Sequence, residues 1–179
     1  MIARNSEVFI IDSDSLIVPY RSFYTFSFAP NFWSFIENKL LSNKIMLLDM
    51  VYDEINVGND ELSNWLQNIS ALEPINHRDS DIIKNYGDVL NYIQDCGYYK
   101  TEALNDWSNA KTADPWLIAT AMVNHYTIIT FERSNGSLNK VSPSKNAKIP
   151  DICKQFNVPC KDLYYMMDKL SFNNSGNHI

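Results

Sequence analysis

Three short runs of the chain are apolar or β-branched without a polar break: Val8-Phe-Ile-Ile11, Ile45-Met-Leu-Leu48 and Tyr126-Thr-Ile-Ile-Thr130. Continuous rather than alternating hydrophobicity predicts strands buried on both faces, as in a parallel sheet, and the first run reads as the central strand. Residues 71–75 and 158–160 are weaker strand candidates. Between these runs apolar residues return at helical spacing. Phe32, Phe35, Ile36 and Leu40 predict a helix capped by Asn31. Asp49 can cap a short helix that stops near Gly58. Leu62, Trp65, Leu66 and Ile69 fall at i, i+3, i+4 and i+7, as do Ile82, Tyr86, Val89 and Ile93. A further helix is expected over 101–110. Asp114-Pro115 pairs a capping residue with proline at the first helical position, which starts a helix through Met122. Pro150 opens another helix, and 162–170 makes the last. Residues 171–179 read as a frayed, disordered tail.

Helices alternating with apolar strands imply one parallel sheet covered on both faces by right-handed crossovers. No internal repeat or long linker divides the chain. The expected architecture is a single three-layer α/β/α domain over residues 1–170.

Composition narrows the function. The chain has 179 residues, 15 Lys plus Arg against 21 Asp plus Glu, and a net charge of −6. That size suits one domain with a real core. The acid excess argues against a protein that coats nucleic acid by global positive charge, so any such contact is local. Cys96, Cys153 and Cys160 match neither a disulfide framework nor a zinc pattern and read as reduced thiols. With no signal-peptide layout at the N-terminus and no long apolar stretch, the expected setting is the cytoplasm, away from membranes. The sequons at Asn68, Asn135 and Asn173 then read as chance matches.

In an open parallel sheet, ligands gather at the carboxyl ends of the strands. Four acids map to that edge. Asp12 ends the first strand, Glu54 lies in the first turns of the helix after the second, Asp114 starts the helix that leads into the strand ending at Thr130, and Glu132 follows that strand by two residues. Any one of them alone reads as a cap or a solvated acid, since helix N-termini favour carboxylates by about 0.3 to 1 kcal/mol. Together they repel and raise one another's pKa unless a cation intervenes. Oxygen-only ligands of this kind suit Mg²⁺ or Mn²⁺.

Phe9-Ile-Ile-Asp-Ser-Asp-Ser-Leu-Ile17, Val51-Tyr-Asp-Glu-Ile55, Ala113-Asp-Pro-Trp-Leu-Ile-Ala-Thr-Ala121 and Ile128-Ile-Thr-Phe-Glu132 resemble, in order, the four acidic motifs of PIN-domain nucleases, the VapC-like ribonucleases. The resemblance covers about residues 7 to 170. Pro30-Asn-Phe-Trp33, Gly58-Asn-Asp-Glu-Leu-Ser-Asn-Trp65 and Lys148-Ile-Pro-Asp-Ile-Cys153 are most similar to a bacterial PIN-like subgroup catalogued as a domain of unknown function. It implies a metal-dependent endoribonuclease that hydrolyses phosphodiester bonds in single-stranded or structured RNA, the toxin of a type II pair held in check by an antitoxin protein. Asp12, Glu54 and Asp114 would hold the metal. Glu132 stands where the family more often has Asp, and its longer side chain would ligate directly or through water. Ser13, Asp14 and Thr130 would support these acids, with Asp14 equally readable as solvated.

Charge by segment bears on the substrate. Residues 1–132 carry 8 basic and 18 acidic groups, whereas 133–150 hold Arg133, Lys140, Lys145 and Lys148 with no acid. This basic loop begins one residue after Glu132 and reads either as a phosphate contact or as a solvated loop. Arg21 sits among aromatics in Tyr20-Arg-Ser-Phe-Tyr24-Thr-Phe26-Ser-Phe28 and is a further RNA candidate. The period-two rings Tyr24, Phe26 and Phe28 favour burial or a contact with a second copy. His77, His125 and His178 lie outside the four motifs and read as surface or structural. Two rival readings stand. Asp12-Ser-Asp14-Ser15 also looks like the first motif of haloacid-dehalogenase-type phosphatases, with Asp12 as nucleophile, Asp14 as acid/base, and Thr130 and Lys148 as partners. A catalytically silent PIN-like module that binds RNA or protein is the other.

Overall fold

The structure, a computed structural model, describes residues 7–172 of the chain. β1 (Phe9–Ile11), β2 (Ile45–Met46), β3 (Thr127–Ile129) and β4 (Cys160–Lys161) form one parallel sheet in the order β2-β1-β3-β4. Phe9 lies opposite Ile45 and Thr127, and Ile10 opposite Met46 and Ile128, which sets β1 between two partners. Every residue of β1 and β3 is buried, as continuous apolar runs require when helices cover both faces. Ile10, Ile11, Ile128 and Ile129 are fully buried, and each such side chain contributes roughly 1.5 to 3 kcal/mol. The domain is a three-layer α/β/α sandwich.

Helices connect the strands: α1 (Asp14–Arg21), α2 (Pro30–Leu41), α3 (Asp49–Val57), α4 (Glu61–Gln67), α5 (Ser80–Asp95), α6 (Thr101–Trp107), α7 (Asp114–Asn124), α8 (Ile149–Gln155) and α9 (Leu163–Lys169). Their ends have local causes. Asp60 and Ser63 close a reciprocal capping box on α4, and Asp162 caps α9 by accepting from the Tyr165 N–H. α7 is apolar on nearly all sides because it is packed within the domain, burying Leu117, Ile118, Ala119 and Ala121. α5 lies along it, with Tyr86 stacked on Trp116 at 3.7 Å between ring centres. The left-handed His125, with φ of 58°, ends α7 and turns the chain into β3.

Several expectations need correction. Ala29 rather than Asn31 precedes α2, because Pro30 takes the first helical position. Asp49 and Asp114 are the first residues of α3 and α7 rather than their caps, which are Leu48 and Ala113. The helix expected over 101–110 stops at Trp107. Residues 71–75 contribute only a bridge from Ile75 to Leu48, and the last strand, Cys160–Lys161, begins two residues later than expected and ends one later. α1 itself was not foreseen. Its β-branched Ile17 and internal Pro19 obscure a helix that nonetheless buries Ser15, Leu16 and Pro19. Of the three period-two rings, Tyr24 and Phe26 pack on the core, while Phe28 is 81% exposed. Phe172, within the expected tail, packs against Phe32 and Phe35. Residues 173–179, with His178 and the Asn173 sequon, lie outside the described residues, as do residues 1–6. Among the described residues, no helix is long and apolar enough to cross a membrane.

The strand order creates a functional position. From β1 the chain crosses to β2 on one side, and from β3 to β4 on the other, so the topological switch falls between β1 and β3. A crevice for ligands opens outside their carboxyl ends, and those ends carry Asp12 and the segment from Thr130 to Glu132.

Candidate active site

Asp12 follows β1 directly and is 6% exposed. The Ser13 N–H donates to Oδ1 at 2.8 Å and the Thr130 hydroxyl donates to Oδ2 at 2.8 Å, so the second bond spans the switch between β1 and β3. Thr130 also accepts the Glu132 N–H at 3.0 Å, which ties the end of β3 to the same carboxylate. Ser15, the second residue of α1, donates to the Ile129 carbonyl at 3.2 Å and holds this corner closed. Burial pushes the Asp12 carboxyl up to about 7, helped by the charges of Asp114, Asp14 and Glu54 and opposed by the Thr130 hydrogen bond.

Asp114 begins α7 and is only partly exposed. Its carboxyl is also pushed up to about 7, first by burial and then by the charges of Glu132 and Glu54, with Lys148 opposing and Asp14 adding. These five acids, from four segments distant in sequence, lie near enough for their charges to act on Asp12 or Asp114. Glu54 and Asp14 are exposed at its edge, whereas Asp12 and Asp114 form its interior.

Glu132 is treated differently. Lys148 Nζ lies 2.6 Å from Oε1, and the Ile149 N–H donates to Oε2 at 2.8 Å, so both oxygens of Glu132 are engaged by the start of α8. The hydrogen bond to Glu132 in turn raises the Lys148 ammonium pKa. Direct ligation of a metal by Glu132 would have to displace these two donors.

Among the described residues, no three His, Cys, Asp or Glu side chains stand close enough together to hold an ion. The donor set still fits a hard cation of the Mg²⁺ type, which binds through one or two carboxylates and keeps several waters. Asp12 and Asp114 could supply such a pair: they are all-oxygen donors with no salt-bridge partner among the described residues.

Residues 9–174 match the family model described as "Domain of unknown function (DUF4411)". The chain belongs to this family. No curated protein matches it. Among solved structures, this DUF4411 protein is similar to a chain in the crystal structure of VapBC2 from Rickettsia felis bound to a DNA fragment from their promoter. The identity is 14%, over 87% of this chain and 98% of that one, with a TM-score of 0.48.

The basic loop of the DUF4411 domain is largely turned to its own structure. Lys148 is held by Glu132, Lys145 lies 3.7 Å from Glu102, and Lys140 sits over the Tyr98 ring at 5.4 Å. Only Arg133 of the four lines a cleft beside the acids. That cleft, of about 430 Å³, is bounded by Thr130, Glu132, Arg133, Cys160, Lys161 and Tyr164. Arg21 is exposed at the end of α1. A second cleft, of about 590 Å³, opens on the Glu54 side and is lined by Met50, Val57 and Ala110 together with His77, Arg78 and Lys111.

His77 was expected to be surface or structural. Asp49 grips it: Nδ1 lies 2.8 Å from Oδ2, and the His77 N–H also donates to Oδ2 at 3.2 Å. Its ring meets the Trp116 ring edge-on at 4.9 Å. The contact pins residues 76–79 to α3, two residues from Asp114 in α7, and so shapes the second cleft. Asp49 at a helix start, 28 residues before a histidine, carries no sequence signal for this pair.

Proposed function

We propose that the protein is a metal-dependent endoribonuclease of the PIN type that cuts single-stranded RNA in the cytoplasm, as the toxin of a toxin–antitoxin pair. One observation carries this reading: near the switch point of a parallel sheet, the largely buried carboxyls of Asp12 and Asp114 lie within the field of further acids, and neither is in a salt bridge among the described residues. Such an arrangement is unfavourable without a positive charge and suited to one with it.

Asp12 and Asp114 would hold Mg²⁺ or Mn²⁺, which lowers the pKa of a water and offsets charge on the attacking and leaving oxygens. Thr130 and the Ser13 N–H fix the orientation of the Asp12 carboxylate, as partners behind a ligand generally do. Glu54, exposed at the rim, is placed to contact water at the ion. Glu132 and Lys148 form a neutral pair on the far side, so Glu132 acts through water rather than as a direct ligand. The order of the acidic segments, which resembles that of PIN-domain nucleases, supports the choice of RNA and of an antitoxin partner.

The phosphatase alternative fits less well. It would need Lys148 for substrate phosphate, and that ammonium is committed to Glu132. It would also leave Asp114 and Glu54 without a task. The deciding experiment compares cleavage of a single-stranded RNA with Mg²⁺ or Mn²⁺ by wild type, Asp12→Asn and Asp114→Asn. Cleavage by wild type alone supports the assignment, while equal cleavage by all three sinks it. Phosphate release from a phosphomonoester, lost in Asp12→Asn, would favour the phosphatase. RNA binding with no cleavage by any form would favour the silent module.

A further inference from the structure

Each of two clefts includes one acid of the site: Glu54 lines one and Glu132 the other, and the charges of both act on Asp114. Each cleft carries cations that sequence position does not group: Arg78 and Lys111 on the Glu54 side, Arg133 and Lys161 on the Glu132 side. All four are exposed, and none is in a salt bridge among the described residues. Lys161 lies 5.4 Å from the centre of the Tyr165 ring, as Lys140 does from that of Tyr98, but only Lys161 of the two lines the cleft with Glu132. The neighbouring Tyr164 is 56% exposed and makes no ring contact among the described residues. Each cleft thus joins one acid of the site to two exposed cations, and the Glu132 cleft adds an aromatic ring without ring contacts among the described residues.

We propose that one strand of RNA crosses the acids from cleft to cleft, with phosphates on Arg78 and Lys111 at one end and on Arg133 and Lys161 at the other, and an unpaired base stacked on Tyr164. This path rests on the ribonuclease reading and adds where the strand lies. A duplex is a poor occupant, because its backbone needs a broad cationic face, and this chain has a net charge of −6 with the four cations named here in two separate hollows. A base can stack on a side chain only when it is unpaired.

The test measures binding rather than cleavage. A labelled single-stranded RNA is titrated in Mg²⁺ against the full-length Asp114→Asn protein at several salt concentrations. Arg78→Ser with Lys111→Ser, and Arg133→Ser with Lys161→Ser, are each added to that background. For single strands the slope of log affinity against log salt falls by about 0.7 for each phosphate contact removed, so each double variant should lose about 1.4. Tyr164→Ala should weaken binding roughly tenfold without changing the slope, and Tyr164→Phe should restore it. Lys140→Ser with Lys145→Ser should leave both quantities unchanged. An unchanged slope in either cleft variant overturns the path, as does a loss equally large for the Lys140 and Lys145 pair. Wild-type cleavage, measured alongside, separates the two failures. If wild type cuts RNA and the cleft variants bind normally, only the path is wrong; if wild type neither binds nor cuts, the ribonuclease reading falls with it.

Discussion

Asp12 and Glu132 stand at the ends of neighbouring strands, joined through Thr130, yet the fold equips them in opposite ways. Asp12 is buried against neutral donors and shares its surroundings with Asp114, and both carboxyls are pushed up to about 7. Glu132 has a lysine at 2.6 Å and a backbone N–H on its other oxygen. One acid carries its own counter-charge, and the other pair lacks one. The difference separates a carboxylate that carries its own counter-charge from a pair that has none in a salt bridge, although the groups look equivalent along the chain.

The largest break in that contrast comes from removing charge at the interior pair. Asp12→Asn or Asp114→Asn should cost several kcal/mol of transition-state stabilisation, roughly 10³-fold in RNA cleavage. The same substitutions should raise the melting temperature of the metal-free protein near neutral pH, because each removes a buried charge and with it the repulsion from the other acids. Parallel cleavage and thermal unfolding assays read both effects. A variant that lost activity and stability together would instead mark the acid as a packing element.

A second effect is the pH dependence of metal-free stability. Both carboxyls lie near 3.8 when unfolded and near 7 when folded, so the folded state binds the extra protons. The favourable contribution is therefore present below pH 3.8 and is lost as pH rises through 7. Denaturant unfolding in a chelator should show stability falling over this window by a few kcal/mol. Asp12→Asn should flatten the decline. Added Mg²⁺ should restore stability above pH 7, in proportion to its occupancy. A wild-type profile that matches Asp12→Asn across the window would show that burial of these acids is not as described.

Much of this contrast lay beyond the reach of pattern. The strands β1 and β3 were legible as unbroken apolar runs because they are buried on both faces, and the strand-end rule then placed Asp12, Asp114, Glu54 and Glu132 on one rim. The rule could not rank them, since whether a lysine 16 residues later folds back on Glu132 depends on where α8 begins. The basic loop shows a related limit: composition locates charge along the chain, but does not show that Lys145 and Lys148 pair with acids of the same domain. Conversely, Arg78, Lys111 and Lys161 sit in mixed or acidic segments and become neighbours of the site only through packing of α3, α7 and β4. α1 was hidden because Pro19 and β-branched residues oppose the helical pattern locally while burial of Leu16 overrides them.

The bridge between the two acids supplies an intermediate effect. Thr130→Val keeps the shape of the side chain and removes both the donor to Asp12 Oδ2 and the acceptor for the Glu132 N–H. Loss of a partner behind a metal-holding carboxylate typically costs 10- to 100-fold in metal affinity or activity. The Mg²⁺ concentration for half-maximal cleavage should rise by about that range, whereas Thr130→Ser should stay near wild type. Equal loss in both variants would trace the effect to the methyl group and not to the hydroxyl.

The smallest expected effect is at the self-neutralised acid. Lys148→Met should destabilise the protein by about 1 to 3 kcal/mol, because Glu132 is left half-buried with one hydrogen bond, and Glu132→Gln should cost less. The double variant should be more stable than the two single losses predict, since neither unpaired charge remains. Cleavage separates this pair from the interior one. If Glu132 acts only through water and Lys148 serves only to hold it, the double variant should retain activity within about a hundredfold, as expected for a group behind the ligands. A loss as deep as that of Asp12→Asn would place Glu132 on the metal itself, with Lys148 as the group that must move aside.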